Sequence, residues 1–114
     1  MATIYHNPRC SKSRQTLELI KNQGLEPDVV LYLETPLSAQ TIATLLKKLG
    51  ISARQLLRRD EQAYKEQNLA DNSLSEAQLI EAMVEFPKLI ERPIVVNGDR
   101  AIIGRPPEQV MEIL

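Results

Sequence analysis

The chain holds a single cysteine, Cys10, and a single histidine, His6, both inside the segment YHNPRCSKSR. A free thiol ionises near ~8.5, so it is a weak nucleophile at neutral pH unless its surroundings favour the thiolate. Three features around Cys10 do so. A helix is expected from Ser11, and the unpaired N–H groups of its first turn favour an anion. Arg9, Lys12 and Arg14 supply positive charge. His6, at the end of a first strand and across a turn from Cys10, can donate a hydrogen bond to the thiol, and Ser13 can supply a second donor from the first helical turn. Most unpaired cysteines are small buried hydrophobes. Here the flanks are Asn-Pro-Arg and Ser-Lys-Ser-Arg, so the expectation is an exposed, reactive thiol in an electropositive setting. For His6 alone, a strand-end imidazole satisfied by backbone is as ordinary a reading as a functional one. One Cys and one His cannot supply the four ligands of a usual zinc site, so no metal is expected.

Cys10 to Ser13 is C-x-x-S, a one-thiol version of the C-x-x-C redox pair. Such a chain cannot resolve its own mixed disulfide, so redox chemistry at Cys10 requires an outside thiol, such as glutathione or another protein. The helix N-terminus also suits an oxyanion. An oxyanion beside a thiolate needs cations. The candidates are Arg58 or Arg59 in LLRRD, Arg92 in ERPIVV and Arg105 in GRPPE. An arginine taken singly is most often a solvated surface residue. Arg92 and Arg105 stand out because each precedes a proline at the end of an expected strand. Pro93 fits a strand start because it lacks an N–H. A cis Arg92–Pro93 bond would be a deliberate feature, although trans is the default.

The elements that must position these residues follow from pattern. Thr3–Asn7 is short, β-branched and aromatic, and runs into Asn-Pro: a first strand and turn. From Ser11 an amphipathic helix carries Thr16, Leu17 and Ile20 and stops at Gly24. Pro27–Glu34 is a near-continuous apolar run, expected as a strand buried on both faces, giving a parallel β-α-β unit. Ser38 caps a helix bearing Ile42, Leu45, Leu46 and Leu49 that ends at Gly50. SARQLLRRDEQAYKEQ reads as one or two short helices. Ser75 caps another, with Leu79, Ile80, Met83 and Val84, ended by Pro87. PIVV and RAII flank Asn-Gly-Asp, a hairpin signal, and a last short helix reaches Leu114. The fold class is α/β: a mixed sheet built from β-α-β, a helical insert of roughly 50 residues, a β-hairpin and a final α, in one domain spanning 1–114.

The totals agree. The 114 residues suit one core. A composition 43% hydrophobic and 25% charged is that of a folded globular chain. No apolar run approaches the roughly 20 residues that span a bilayer. MATIYHNPRC shows no secretory pattern, so a cytoplasmic location is the default, and a lone cysteine fits a reducing compartment. A net charge of -1 gives no support to nucleic-acid binding. No heptad or long apolar edge is evident, so a monomer is expected.

These residues resemble the glutaredoxin-coupled arsenate reductases of the thioredoxin fold. TIYHNPRCSKSRQTLE, YLETP, GISARQLLRRDE, LIERPIVV and GRPPEQV cover nearly the whole chain in order. The family's H-N-P-x-C-x-x-S-R motif lies at His6–Arg14. The resemblance implies a thioredoxin-like sheet, Cys10 as catalytic thiol, His6 lowering its pKa, Arg58, Arg92 and Arg105 binding the oxyanion, and Pro93 as the cis-proline. It implies arsenate as substrate, glutathione as co-substrate, glutaredoxin as partner and no bound cofactor. Better-known members extend a few turns beyond the position of Leu114. Two other readings use the same fold. A glutathione-dependent thiol/disulfide reductase would need Cys10 but not three arginines. A non-enzymatic regulator of the polymerase-binding kind would ordinarily carry C-x-x-C.

Overall fold

Four strands form one mixed sheet in the order β2-β1-β3-β4, in a computed structural model that describes residues 2–114. The strands are β1 (Ala2–Tyr5), β2 (Asp28–Val30), β3 (Ile94–Asn97) and β4 (Arg100–Ile103). β1 runs parallel to β2 and antiparallel to β3, with Ile4 opposite Val29 on one side and Val95 on the other. Helix α1 (Ser11–Asn22) makes the crossover between β1 and β2. It ends as the pattern requires, with the Gly24 N–H donating to the Lys21 carbonyl at 2.9 Å and Gly24 at φ 78°. The thioredoxin-like α/β class expected from sequence is the class observed.

The chain divides into two compact units, residues 1–35 with 92–114, and 36–91. The first is the sheet with α1 and a C-terminal 3₁₀ helix, Pro107–Glu112. Its core is Ile4, Ile20, Val95, Val110 and Ile113, with Leu17, Ile102 and Leu114 packed against it. Ile4 and Val95 come from the two central strands, whose side chains point alternately to opposite faces. Ile20 and Leu17 come from the apolar stripe of α1.

The second unit is helical: α2 (Ala39–Leu49), α3 (Ala53–Leu56), α4 (Gln62–Glu66), α5 (Glu76–Glu85) and a 3₁₀ turn at Pro87–Leu89. Ser38, Ser52 and Ser75 cap α2, α3 and α5, each hydroxyl accepting from a backbone N–H three residues on. Ser52 and Ser75 complete capping boxes with Gln55 and Gln78. Gly50 takes φ 70° at the end of α2. The buried faces carry Ile42, Leu45 and Leu46 on α2, Leu56 on α3, and Leu79 and Met83 on α5. Ile80 and Val84 are half-buried instead.

Three expectations are corrected. The strand expected over Pro27–Glu34 is only Asp28–Val30, and Asp28 and Val29 are exposed. β2 is an edge strand with β1 as its one neighbour. After Val30 the chain leaves the sheet in a turn, the Leu31 carbonyl accepting from the Glu34 and Thr35 N–H groups, so the apolar run serves a loop in which Tyr32 alone is fully buried. The last helix is 3₁₀ rather than α, and stops at Glu112. It is short and opens on Pro106-Pro107, and three-residue bonds such as Gln109 N–H to the Pro106 carbonyl close it. In the hairpin, Asn97 pairs with Arg100 and belongs to β3. The turn is Gly98-Asp99, with Gly98 at φ 65° in the first central position, the place for glycine in a II′ turn.

Two outcomes follow for stability. Ile4→Ala removes a fully buried side chain from a central strand and should cost about 2–5 kcal/mol in urea unfolding. Ser75→Ala breaks the α5 capping box and should cost about 1 kcal/mol in the same measurement.

Candidate active site

The segment between β1 and α1 is built as a turn before it is a site. Asn7 organises it. The Asn7 carbonyl accepts from the Cys10 N–H at 3.0 Å, and its side-chain Oδ1 accepts from the Arg9 N–H at 3.0 Å. The Arg14 guanidinium donates back to the Pro8 carbonyl at 2.8 Å. Asn-Pro thus sets the turn and Arg14 braces it. Cys10 is left as the N-cap of α1, with φ -95° and ψ 122° and no side-chain cap bond. A cap residue in this conformation faces the free N–H groups of the first helical turn.

Cys10 is buried, with only 8% of its surface exposed, which corrects the expectation of an exposed thiol. The charged flanks point away while the sulfur faces inward: Arg9, Ser11 and Lys12 are exposed. Burial by itself pushes the thiol up. The Ser13 backbone N–H, the charge of Arg92, the Lys12 backbone N–H and a hydrogen bond from Arg92 act against it, and the balance lies below the ordinary thiol value. Arg105 Nη2 stands 4.0 Å from the sulfur. Its Nε donates to the Arg92 carbonyl at 2.9 Å, which ties the two arginines' segments together. Both arginines precede prolines through cis peptide bonds, at Arg92–Pro93 and Arg105–Pro106; the sequence singled out the first but not the second.

The Ser13 backbone N–H is the donor that faces the sulfur, whereas His6 takes Ser13 and not the thiol as its partner. His6 Nδ1 lies 2.6 Å from Ser13 Oγ, and both residues are buried. Ser13 Oγ also accepts from the Asn7 N–H at 3.0 Å. The Ser13 hydroxyl therefore serves the turn, and it is the Ser13 backbone N–H that meets the sulfur. His6 acts on the turn through Ser13 rather than on the thiol directly. Burial, then the charges of Arg14 and Lys21, hold its imidazole below its ordinary value. Sequence reasoning counted Arg14 as charge near the thiol and gave Asn7 no role beyond the turn signal. The Asn-Pro dipeptide was the only available sign of their bracing function.

Arg58 belongs to the helical unit. Its N–H donates to the Leu89 carbonyl at 2.8 Å, beside an isolated bridge between Leu57 and Ile90. Its guanidinium contacts Glu61 Oε1 at 2.6 Å and Asp60 Oδ2 at 3.5 Å. Arg59 is exposed. Among the described residues no group of three or more His, Cys, Asp or Glu side chains could hold a metal ion.

Chemically, the first unit brings together a thiol held below its ordinary pKa and two guanidinium groups. Guanidinium groups are fork-shaped donors that match oxyanion geometry. A nucleophile activated by lowered pKa beside such donors suits attack on an anionic centre.

Two pH outcomes follow. The pH–rate profile for alkylation of Cys10 should have its midpoint below that of an ordinary thiol, and Arg92→Gln should move it upward by removing both the charge and the hydrogen bond. His6 has a folded pKa below its unfolded one. The stability this confers is complete above the ordinary imidazole value and is lost as pH falls through the folded value. In urea titrations His6→Asn should therefore lose less stability between neutral and mildly acidic pH than the unsubstituted protein does.

The ArsC family model matches residues 5–113. The uncharacterized protein YfgD of Escherichia coli (strain K12) is 67% identical over 112 residues, covering 97% of this chain and 94% of its own. An arsenate reductase of Haemophilus influenzae is 53% identical over 112 residues, with 97% of each chain covered. A longer arsenate reductase of Escherichia coli is 49% identical, with 98% of this chain and 79% of its own covered. The solved structure of an arsenate reductase from Vibrio cholerae superposes with a TM-score of 0.97 at 54% identity, over 99% of this chain and 97% of that one. With a family match over nearly its full length and relatives of this identity, the chain belongs to the ArsC family.

Proposed function

We propose that the protein is an arsenate reductase in which Cys10 is the nucleophile and glutathione and glutaredoxin supply the electrons. The observation that carries this reading is the Cys10 sulfur held below its ordinary pKa next to Arg92 and Arg105. A disulfide reductase needs the thiolate but has no use for two guanidinium groups beside it. The names of the relatives point the same way.

The proposed reaction uses that geometry. Arsenate sits against the arginine forks, and the Cys10 thiolate attacks arsenic. A sulfur–arsenic bond forms, one arsenic–oxygen bond breaks, and the oxygen leaves as water. Glutathione attacks the adduct: a second sulfur–arsenic bond forms, a second arsenic–oxygen bond breaks, and that oxygen also leaves as water. Glutaredoxin takes the glutathione sulfur into a mixed disulfide, and the electron pair of the broken bond stays on arsenic, now As(III). Hydrolysis releases arsenite and restores the thiol. Arg92 and Arg105 stabilise charge on the arsenate oxygens during attack. No cofactor is bound in this scheme. The protein acts as a cytoplasmic monomer.

The test is arsenate-dependent NADPH consumption with glutathione, glutathione reductase and glutaredoxin. Cys10→Ser should abolish turnover, and appreciable residual rate in that variant refutes the assignment. Arg92→Lys, which keeps the charge but loses the fork, should lower kcat/KM by about a hundredfold. If disulfide reduction survives in Arg92→Gln and Arg105→Gln while no arsenate turnover is found in the unsubstituted protein, the thiol/disulfide reading replaces this one.

A further inference from the structure

Gly104 follows β4 and precedes Arg105, and space rather than backbone freedom requires glycine there. Its φ lies outside the left-handed region, yet a methyl group on its Cα would fall 2.6 Å from Thr16 Oγ1, 2.9 Å from Pro93 Cγ and 3.2 Å from Thr16 Cγ2. No real side chain fits those distances without displacing a neighbour. The Gly104 N–H donates to the Pro93 carbonyl at 2.9 Å, and Arg105 Nε donates to the Arg92 carbonyl at 2.9 Å. The end of β4 is thereby tied at two points to the start of β3, and the two arginines move as a unit. On the other side stands Thr16, fully buried in α1, its hydroxyl donating to the Lys12 carbonyl at 2.8 Å. Thr16 lies on the same rigid element as Cys10, about one and two-thirds turns along it.

We propose that Thr16 and Gly104 are positioning residues for the thiol, their contact setting how closely the N-terminus of α1, with Cys10, approaches the tied Arg92–Arg105 pair. Two sets of groups favour the thiolate. The Lys12 and Ser13 N–H groups belong to α1 and travel with Cys10. The Arg92 guanidinium belongs to the strand ends and does not. His6 follows β1, its backbone N–H donating to the Val30 carbonyl at 2.8 Å, and its ring contacts Ser13 rather than the sulfur. Widening the gap between Thr16 and Gly104 therefore weakens the arginine contribution and leaves the helix contribution in place, because charge–charge attraction falls with separation. The inference rests on the reading of Cys10 as the reactive thiolate, but not on arsenate being the substrate.

The experiment is the pH dependence of Cys10 alkylation by iodoacetamide in the full chain, with thermal midpoints recorded in parallel. The variants are Gly104→Ala, Thr16→Ala and the pair together. Gly104→Ala should raise the midpoint of the profile and slow alkylation below it by about three- to tenfold, a shift of half to one pKa unit in the thiolate fraction. The double variant removes both Thr16 atoms that the new methyl meets and should recover more than half of that shift. A merely structural contact would lower the thermal midpoint and leave the alkylation profile unmoved, and that result in Gly104→Ala overturns the proposal. Failure of the double variant to recover overturns the part assigned to Thr16. If Gly104→Ala does not fold, Thr16→Ile crowds the same gap from the helix side, and an unmoved profile in that variant overturns the proposal equally. Absence of arsenate turnover in the unsubstituted protein leaves this readout intact, since no arsenate is used.

Discussion

A sulfur withdrawn from water and yet ionised below its ordinary pKa must be compensated from more than one direction, and that demand organises the first unit. Desolvation acts against the thiolate. Opposing it takes the N-terminal turn of α1 on one side and the Arg92 guanidinium on the other, with Arg105 Nη2 4.0 Å from the sulfur. These come from opposite ends of the sequence. The central pairing of β1 with β3 brings them together, because β1 ends just before the Cys10 turn and β3 begins just after Arg92. The sheet order thus serves the charge arrangement: an N-terminal strand beside a C-terminal hairpin puts helix and arginines at the same end of the central strands.

The polar network behind the thiol has its own logic. His6, Ser13 and Asn7 satisfy one another in a buried setting, through the contact of Nδ1 with Oγ and the Asn7 N–H donated to that same Oγ. Buried polar groups without partners are costly, so each member depends on the others. The network holds the turn in shape and leaves the Ser13 backbone N–H for the sulfur. A histidine beside a reactive cysteine is easily read as its direct acid or base. Here its bond to Ser13 makes it part of the frame.

The helical unit is stabilised by local means. Its helices are short, and isolated helices of that length are marginal in water. Serine caps, two capping boxes and a left-handed glycine define their ends, and apolar faces bury Leu56, Leu79 and Met83. Arg58 emerges from this unit next to backbone bonds that join residues 56–58 to 89–91. Its position is thus backed by paired main chain even though the residue lies between helices.

Much of the local chemistry was written in the sequence. Ser38 and Ser75 as caps, Gly24 and Gly50 as stops, the hairpin around Gly98 and the start of α1 at Ser11 all follow from neighbours within a few residues, and each is where those neighbours put it. Cys10 as an unusual thiol was legible for the same reason, since the helix start lies beside it in the chain. What tertiary structure decided depends on residues distant in sequence. The run Pro27–Glu34 is as apolar as a central strand, but only the sheet order makes β2 an edge with exposed side chains. The burial of Cys10, the pairing of His6 with Ser13, and the fit of Gly104 against Thr16 and Pro93 are set by how α1 lies on the strand ends. Propensity and capping act over a few bonds and can be read along the chain, whereas desolvation and close approach exist only once separate segments have met.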